Sequence, residues 1–347
     1  MPQPRKRATI REVAKATGLS PAAVSYALRG LQVSEETIER VRRAAAELGY
    51  EADPIARALA SGRTGMVGLL CGSLEDLWQQ SLAVNIGRAL RDRDRYALIL
   101  DAAGDPVRER RLAQQLRDQR VDGLIVQPVD PAAPHWAELA AELPIVTIGD
   151  ALRDAPTAGE VVFDNRRGVT LALEYLRDRG HRRIAVLTPT WPSTPDRPAD
   201  LHVSAEGGRL NLDIEVVTAP QALDAATEVA RRVLAPGGPR ATAIFCFSDS
   251  IAYGVYAAAA ELGVAIPAEV SVMGYDDHRM SALLTPPLAS VNWNLDRIVR
   301  AAVRLVVAAV EGKAGGRARP ARGRRIVQAP ELRERGSVAP LSRPGSG

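Results

Sequence analysis

Two cysteines in 347 residues are too few for a disulfide framework, and both, Cys71 and Cys246, sit inside apolar runs. That usage fits reduced core thiols in a cytoplasmic protein. No apolar run reaches membrane-spanning length, and the basic start MPQPRKRATI is followed by no apolar core, so neither a membrane anchor nor a signal peptide is expected. The four histidines, His135, His181, His202 and His278, lack metal-ligand spacing. No G-x-G-x-x-G opens a helix after the first strand, and no phosphate loop is present. Asp164, Asp276 and Asp277 come without a nucleophile or acid–base signature. Catalysis, cofactors and metals are therefore not expected.

What is present begins with charge placement. Residues 1–63 carry 11 Lys and Arg against 7 Asp and Glu, residues 64–312 carry 25 against 32, and residues 313–347 carry 9 against 2. A basic head on an acidic body suits a phosphate-binding module joined to a domain that does not bind phosphate. The basic run around Arg317–Arg325 reads as solvated loop.

The head is organised around Thr9–Gly30. Thr9 and Glu12 have the spacing of a capping box, and Ile10, Val13 and Ala14 share one helical face. Gly18 permits a tight reversal, Ser20 is a good N-cap, and Pro21 fits the first helical position. Val24 and Leu28 face inward, leaving Ala22, Ser25, Tyr26 and Arg29 outside. Two helices around such a turn predict a helix-turn-helix. Ser34 starts a third helix, with Ile38, Val41, Ala45 and Leu48 as its buried stripe and Gly49 as its stop. Asp53 and Pro54 can open a further short helix ending at Gly62, too short to stand alone in water.

From Met66 onward, apolar strands alternate with amphipathic helices. The strand-like runs are Met66–Leu70, Ala97–Leu100, Leu124–Val126, Ile145–Ile148, Val161–Phe163, Ile184–Leu187, Ile214–Val217, Ala243–Phe247, Val270–Met273 and Ser290–Trp293. Alternation of this kind predicts parallel sheets covered on both faces, divided between two lobes. Ligands of such folds bind at the carboxyl ends of the strands. His181, in G-H-R-R-I, reads as structural, tying a helix end to the next strand.

The motifs T-I-R-E-V-A-K-A-T-G-L-S-P-A-A-V-S, V-S-E-E-T-I-E-R-V, E-L-G-Y and A-R-A-L-A-S-G-R-T resemble the head of the lac repressor (LacI/GalR) family of bacterial transcription regulators. F-D-N-R-R-G, R-G-H-R-R-I-A-V-L, S-D-S-I-A-Y-G, V-S-V-M-G-Y-D-D and T-P-P-L-A-S-V resemble its body. The resemblance implies a helix-turn-helix domain over 1–52, a hinge helix and linker over 53–63, and an effector-binding and dimerisation domain over 64–335. That domain is two-lobed, α/β and periplasmic-binding-protein-like. Its chain crosses three times between lobe 1 (64–164 and 294–320) and lobe 2 (165–293 and 321–335), leaving 336–347 as a disordered tail. The implied partners are a near-palindromic operator in double-stranded DNA, a second copy of the chain in a homodimer or a dimer of dimers, and a small-molecule effector, sugar or nucleoside.

By position, Thr9, Ser20, Ser25, Ser34 and Thr37 match backbone-contacting residues, which fix register without reading sequence. Pro21, Ala22 and Tyr26 occupy the readout positions, with Arg29 beside them. Pro21 and Ala22 offer little hydrogen bonding, so base reading leans on Tyr26 and on DNA shape. Leu59 matches the leucine that the family wedges into the minor groove. Arg197 and Asp276 match the family's ligand-binding pair, suited to a polyhydroxylated ligand, and Ser248 stands where many members have asparagine. Trp78 and Trp191 fall near strand ends, where either could stack on a sugar or base or pack a lobe. The loop C-G-S-L-E-D-L-W departs from the family pattern. The rival readings are a two-lobed binding protein or enzyme without DNA regulation, and a regulator whose cleft binds nothing.

Overall fold

The computed structural model describes residues 8–28, 33–50, 63–189, 197–236, 241–314 and 323–341, with backbone alone at 197–201 and 313–314. The chain divides into two units, Met1–Thr64 and Gly65–Gly347.

In the first unit, helices α1 (Ile10–Thr17), α2 (Pro21–Leu28) and α3 (Glu35–Leu48) enclose a small core. The capping box forms: the Glu12 carboxylate accepts the Thr9 N–H at 2.6 Å. Gly18 turns the chain at φ +68°, in the left-handed region that glycine enters without penalty. Ser20 Oγ accepts the Ala23 N–H at 3.1 Å, and Ser34 Oγ accepts the Thr37 N–H at 3.4 Å, so each hydroxyl opens its helix as expected. Val13, Ala14, Val24, Ala27, Val41 and Ala45 make up the buried centre. Ala27 takes the fully buried place on α2, with Leu28 packed at its margin. Leu48 corrects the expected stripe. It is 42% exposed, because fourteen-residue α3 outruns the eight-residue helices it packs on.

The second unit is built on two six-stranded sheets. The first holds β1 (Met66–Cys71), β2 (Tyr96–Asp101), β3 (Gly123–Val126), β4 (Ile145–Gly149), β5 (Gly159–Phe163) and β11 (Arg324–Gln328), in the order β11-β5-β4-β3-β1-β2, all parallel. The second holds β6 (Arg183–Thr188), β7 (Asp213–Thr218), β8 (Ala243–Cys246), β9 (Ser271–Gly274), β10 (Ala289–Asn292) and β12 (Glu331–Arg333), in the order β12-β10-β9-β8-β6-β7. Its strands are parallel except β12, which runs antiparallel to β10. Helices α4 (Leu77–Arg91), α5 (Pro106–Asp118), α6 (His135–Glu142) and α11 (Leu295–Ala314) serve the first lobe. Helices α7 (Asn165–Asp178), α8 (Arg197–Leu210), α9 (Leu223–Leu234) and α10 (Asp249–Leu262) serve the second.

The ten expected strands all form, and the chain does cross between lobes three times. The third crossing falls later than expected. β11 pairs with β5, so residues 324–328 belong to the first lobe, and the chain passes over between Gln328 and Glu331. The tail expected to be disordered from 336 is ordered as far as 341. Ser337 bridges two strands of the second sheet by donating to the Val272 carbonyl at 2.6 Å and accepting the Ala289 N–H at 2.8 Å. His181 pins the same tail. Its ring nitrogens lie 3.0 Å from Thr242 Oγ1 and 3.0 Å from the Ala339 carbonyl, the structural role read from the sequence.

Candidate DNA-binding face and inter-lobe cleft

On the first unit, Thr9, Ser20 and Ser34 sit exposed at the starts of α1, α2 and α3, with Thr37 half-buried in the first turn of α3. Amides at helix starts point their N–H groups outward and carry the positive end of the helix dipole, which favours phosphate oxygens. Along α2, Pro21, Ala22 and Tyr26 are exposed, Ser25 is half-buried, and Val24 and Ala27 are inside. The helix thus presents small residues and one aromatic hydroxyl. Arg29 and Leu59 lie outside the described residues.

In the second unit, the carboxyl ends of strands from both sheets meet. The chain holds only three phenylalanines, and all three, Phe163, Phe245 and Phe247, stand here. Trp78 packs edge-on to Phe163 (5.8 Å between centroids), Phe163 to Trp293 (4.9 Å), Trp293 to Tyr275 (5.3 Å) and Tyr275 to Phe247 (5.0 Å). This aromatic floor runs from one lobe to the other. Gly168, in the first turn of α7, makes room for it, since a Cβ there would stand 2.4 Å from the Tyr275 hydroxyl.

Asp276 is held by an aspartate that the sequence reading passed over. The buried Asp249 carboxylate accepts the Tyr275 N–H (3.0 Å), the His278 N–H (2.8 Å), and the hydroxyls of Ser290 (2.7 Å) and Ser281 (2.5 Å). Its own N–H donates to the Asp276 carboxylate at 2.9 Å. Gly274 is required beside it, because a Cβ there would fall 2.0 Å from Asp249 Oδ1. Burial pushes the Asp249 carboxyl above its usual range, against the lowering effect of these donors. Asp277 serves the tail, accepting from Arg335 and Asn292, each at 2.5 Å.

Ser248 is buried as the N-cap of α10, and its hydroxyl donates to Asp76 in the other lobe at 3.1 Å. Trp78 is 6% exposed and serves as packing, with one side on a cavity of about 490 Å³ whose lining includes Val84, Arg88, Asp276, His278 and Met280. A second cavity, about 240 Å³, is lined by Phe163, Asn165, Arg166, His202 and Arg325. Arg197 opens α8 with only its backbone described, and Trp191 lies outside the described residues.

With Asp249, two more polar residues were missed, Asp76 and Gln127. Asp76 and Asp249 each stand at a helix start, which is the only local signal they carry. Gln127 follows β3, is 1% exposed, and has no hydrogen-bond partner for either amide atom among the described residues. Burial raises both cysteine thiols, Cys71 to about 12, which leaves them protonated and inert. Among the described residues no group of acidic, histidine or cysteine side chains is arranged to hold a metal ion.

Comparison with known proteins identifies the head and the body separately. The profile of bacterial regulatory proteins, lacI family, matches residues 9–53, and that of the periplasmic binding protein-like domain matches residues 173–338. The chain is thus similar to the lacI family in its head and to periplasmic binding proteins in its body, the domain make-up of a DNA-binding regulator with an effector-binding domain. It is 29% identical over 309 residues to the ribose operon repressor of Escherichia coli (strain K12), covering 86% of this chain and 92% of that one. A lac repressor dimer bound to operator and the anti-inducer ONPF matches with a TM-score of 0.79 and 23% identity, over 96% of this chain and all of that one. The regulator CelR in complex with cellobiose matches with a TM-score of 0.67 and 25% identity, over 95% of this chain and all of that one. Among the described residues, no helix is long and apolar enough to cross a membrane.

Proposed function

We propose that this protein is a LacI-family repressor that binds a near-palindromic operator as a homodimer and responds to a sugar-like effector held between its lobes. The observation that carries the effector half is Gln127. An amide buried without partners costs on the order of 1–3 kcal/mol until a donor and an acceptor reach it, and a polyhydroxylated ligand supplies both. Arg197 and Asp276 are the charged pair for its hydroxyls. Ser248 adds a further hydroxyl contact, and Trp78 and Trp191 are walls. The cellobiose complex and the ribose operon repressor among the relatives support a sugar.

For DNA, Thr9, Ser20, Ser25, Ser34 and Thr37 contact the backbone. Tyr26, flanked by Pro21, Ala22 and Arg29, faces the bases, and Leu59 enters the minor groove. The homodimer is supported by an edge of the second unit. Edge strand β2 has no strand on its outer side among the described residues and exposes Tyr96 (60%) and Ile99 (39%). An unpaired edge that exposes apolar side chains calls for a cover.

Footprinting of genomic fragments selected by the purified chain tests the DNA half. Protected sites with inverted half-sites are expected, and uniform protection counts against the reading. Calorimetry with ribose, cellobiose and nucleosides tests the effector half. Saturable binding that is weakened at least about tenfold by Gln127→Ala is the expected result, and equal binding by the variant removes the role given to Gln127.

A further inference from the structure

Asp76 is 3% exposed, and Ser248 and Ser250 are 1% and 4% exposed. The aspartate precedes α4 in the first lobe, whereas the serines open α10 in the second. One oxygen of the Asp76 carboxylate, Oδ1, accepts both hydroxyls, from Ser248 at 3.1 Å and from Ser250 at 3.0 Å. Oδ2 accepts the Gln79 N–H at 3.3 Å and so caps α4. In return the Leu77 N–H donates to Ser250 Oγ at 3.2 Å, and the Ser250 N–H donates to Ser248 Oγ at 3.0 Å. Every donor and acceptor in this set is used in a consistent direction. Three of the bonds cross from lobe to lobe. The carboxylate also sits at the starts of two helices at once, where both sets of amide dipoles favour negative charge.

We propose that Asp76, Ser248 and Ser250 form a latch that holds the two lobes together. The latch occupies the place a bridging ligand would take: an acceptor drawn from the first lobe onto hydroxyls of the second. Its regulatory consequence rests on the effector reading above. A ligand that uses Ser248 must first take that hydroxyl from Asp76, so the lobes respond only to a ligand whose own cross-lobe contacts replace what the latch supplies.

Hydrogen exchange on the full-length chain, without DNA and without effector, tests the latch apart from the effector and operator readings. Asp76→Ala should speed exchange about tenfold in the first turn of α4 and also in the first turn of α10, in the other lobe. Ser250→Ala should loosen the first turn of α4 from the opposite side, and it reads the same contact if Asp76→Ala fails to fold. Peptides over α1–α3 should exchange as in the wild type in both variants. Loosening confined to the lobe that carries each substitution would reduce Asp76 to a helix cap and overturn the proposal.

Discussion

The head and the two-lobed unit stay folded by unlike means. The head's buried centre holds nothing larger than valine, and its helix ends are closed by serine, threonine and glycine. The body has extended apolar cores, an aromatic floor, and carboxylates buried in nets of donors. A small core surrenders a large fraction of its stability with each methyl removed, whereas the body is vulnerable where a buried polar group loses its partners. The difference suits the division of labour. The head needs a rigid surface of modest size, and the body must hold two lobes that a ligand can bias.

The largest expected effect strikes the body. Asp249→Ala orphans several buried donors at once and should cost about 3–5 kcal/mol, seen as a lower melting temperature for the body while the spectrum of the isolated head signals stays unchanged. An unchanged body transition would mean that the net contributes little. In the head, Val24→Ala should cost about 2 kcal/mol. By residue-resolved hydrogen exchange it should open α1–α3 while leaving the sheets protected, and protection lost everywhere would contradict two independent units. Gly168→Ala presses a methyl against the Tyr275 hydroxyl and should cost on the order of 1–3 kcal/mol, with altered tryptophan fluorescence from Trp293. Ser20→Ala removes one N-cap and should cost about 1 kcal/mol, confined to the head.

Acid separates the two units by direction alone. All four histidines lie in the body, and desolvation lowers His135, His181 and His278 below their ordinary value of 6.5. The folded body keeps these rings neutral, while the unfolded chain takes up protons near that value. Their contribution is therefore complete above pH 6.5 and is lost as pH falls below it. The body's melting temperature should drop between pH 7.5 and 5.5 with a slope that His181→Gln reduces, and a slope unaltered by that variant would exclude His181 as a source.

Most of the architecture was legible because periodicity and capping are local. The ten central strands, the caps at Thr9, Ser20 and Ser34, and the structural role of His181 all follow from neighbouring residues. The edge strands β11 and β12 escaped notice, since R-R-I-V-Q and E-L-R are short and partly charged and take their strand form from the partners β5 and β10. The ordered tail was missed for a related reason, as it is fixed by packing on distant chain. The site was less legible than the fold. Ser248 was placed as a ligand contact without its partner Asp76, because 172 residues separate them. Trp78, open to either role from sequence, proved to be packed against Phe163. Long-range partners leave no mark on spacing.

The central claim is that the head, presented twice by a dimer, selects one DNA sequence over others. Titration of the full-length protein against a footprinted site and against random duplex of equal length, at moderate salt, tests it most directly. The account predicts at least about a thousandfold preference, lost when Tyr26 and Leu59 are replaced together by alanine. Equal affinity for both duplexes, across added sugars, would contradict it.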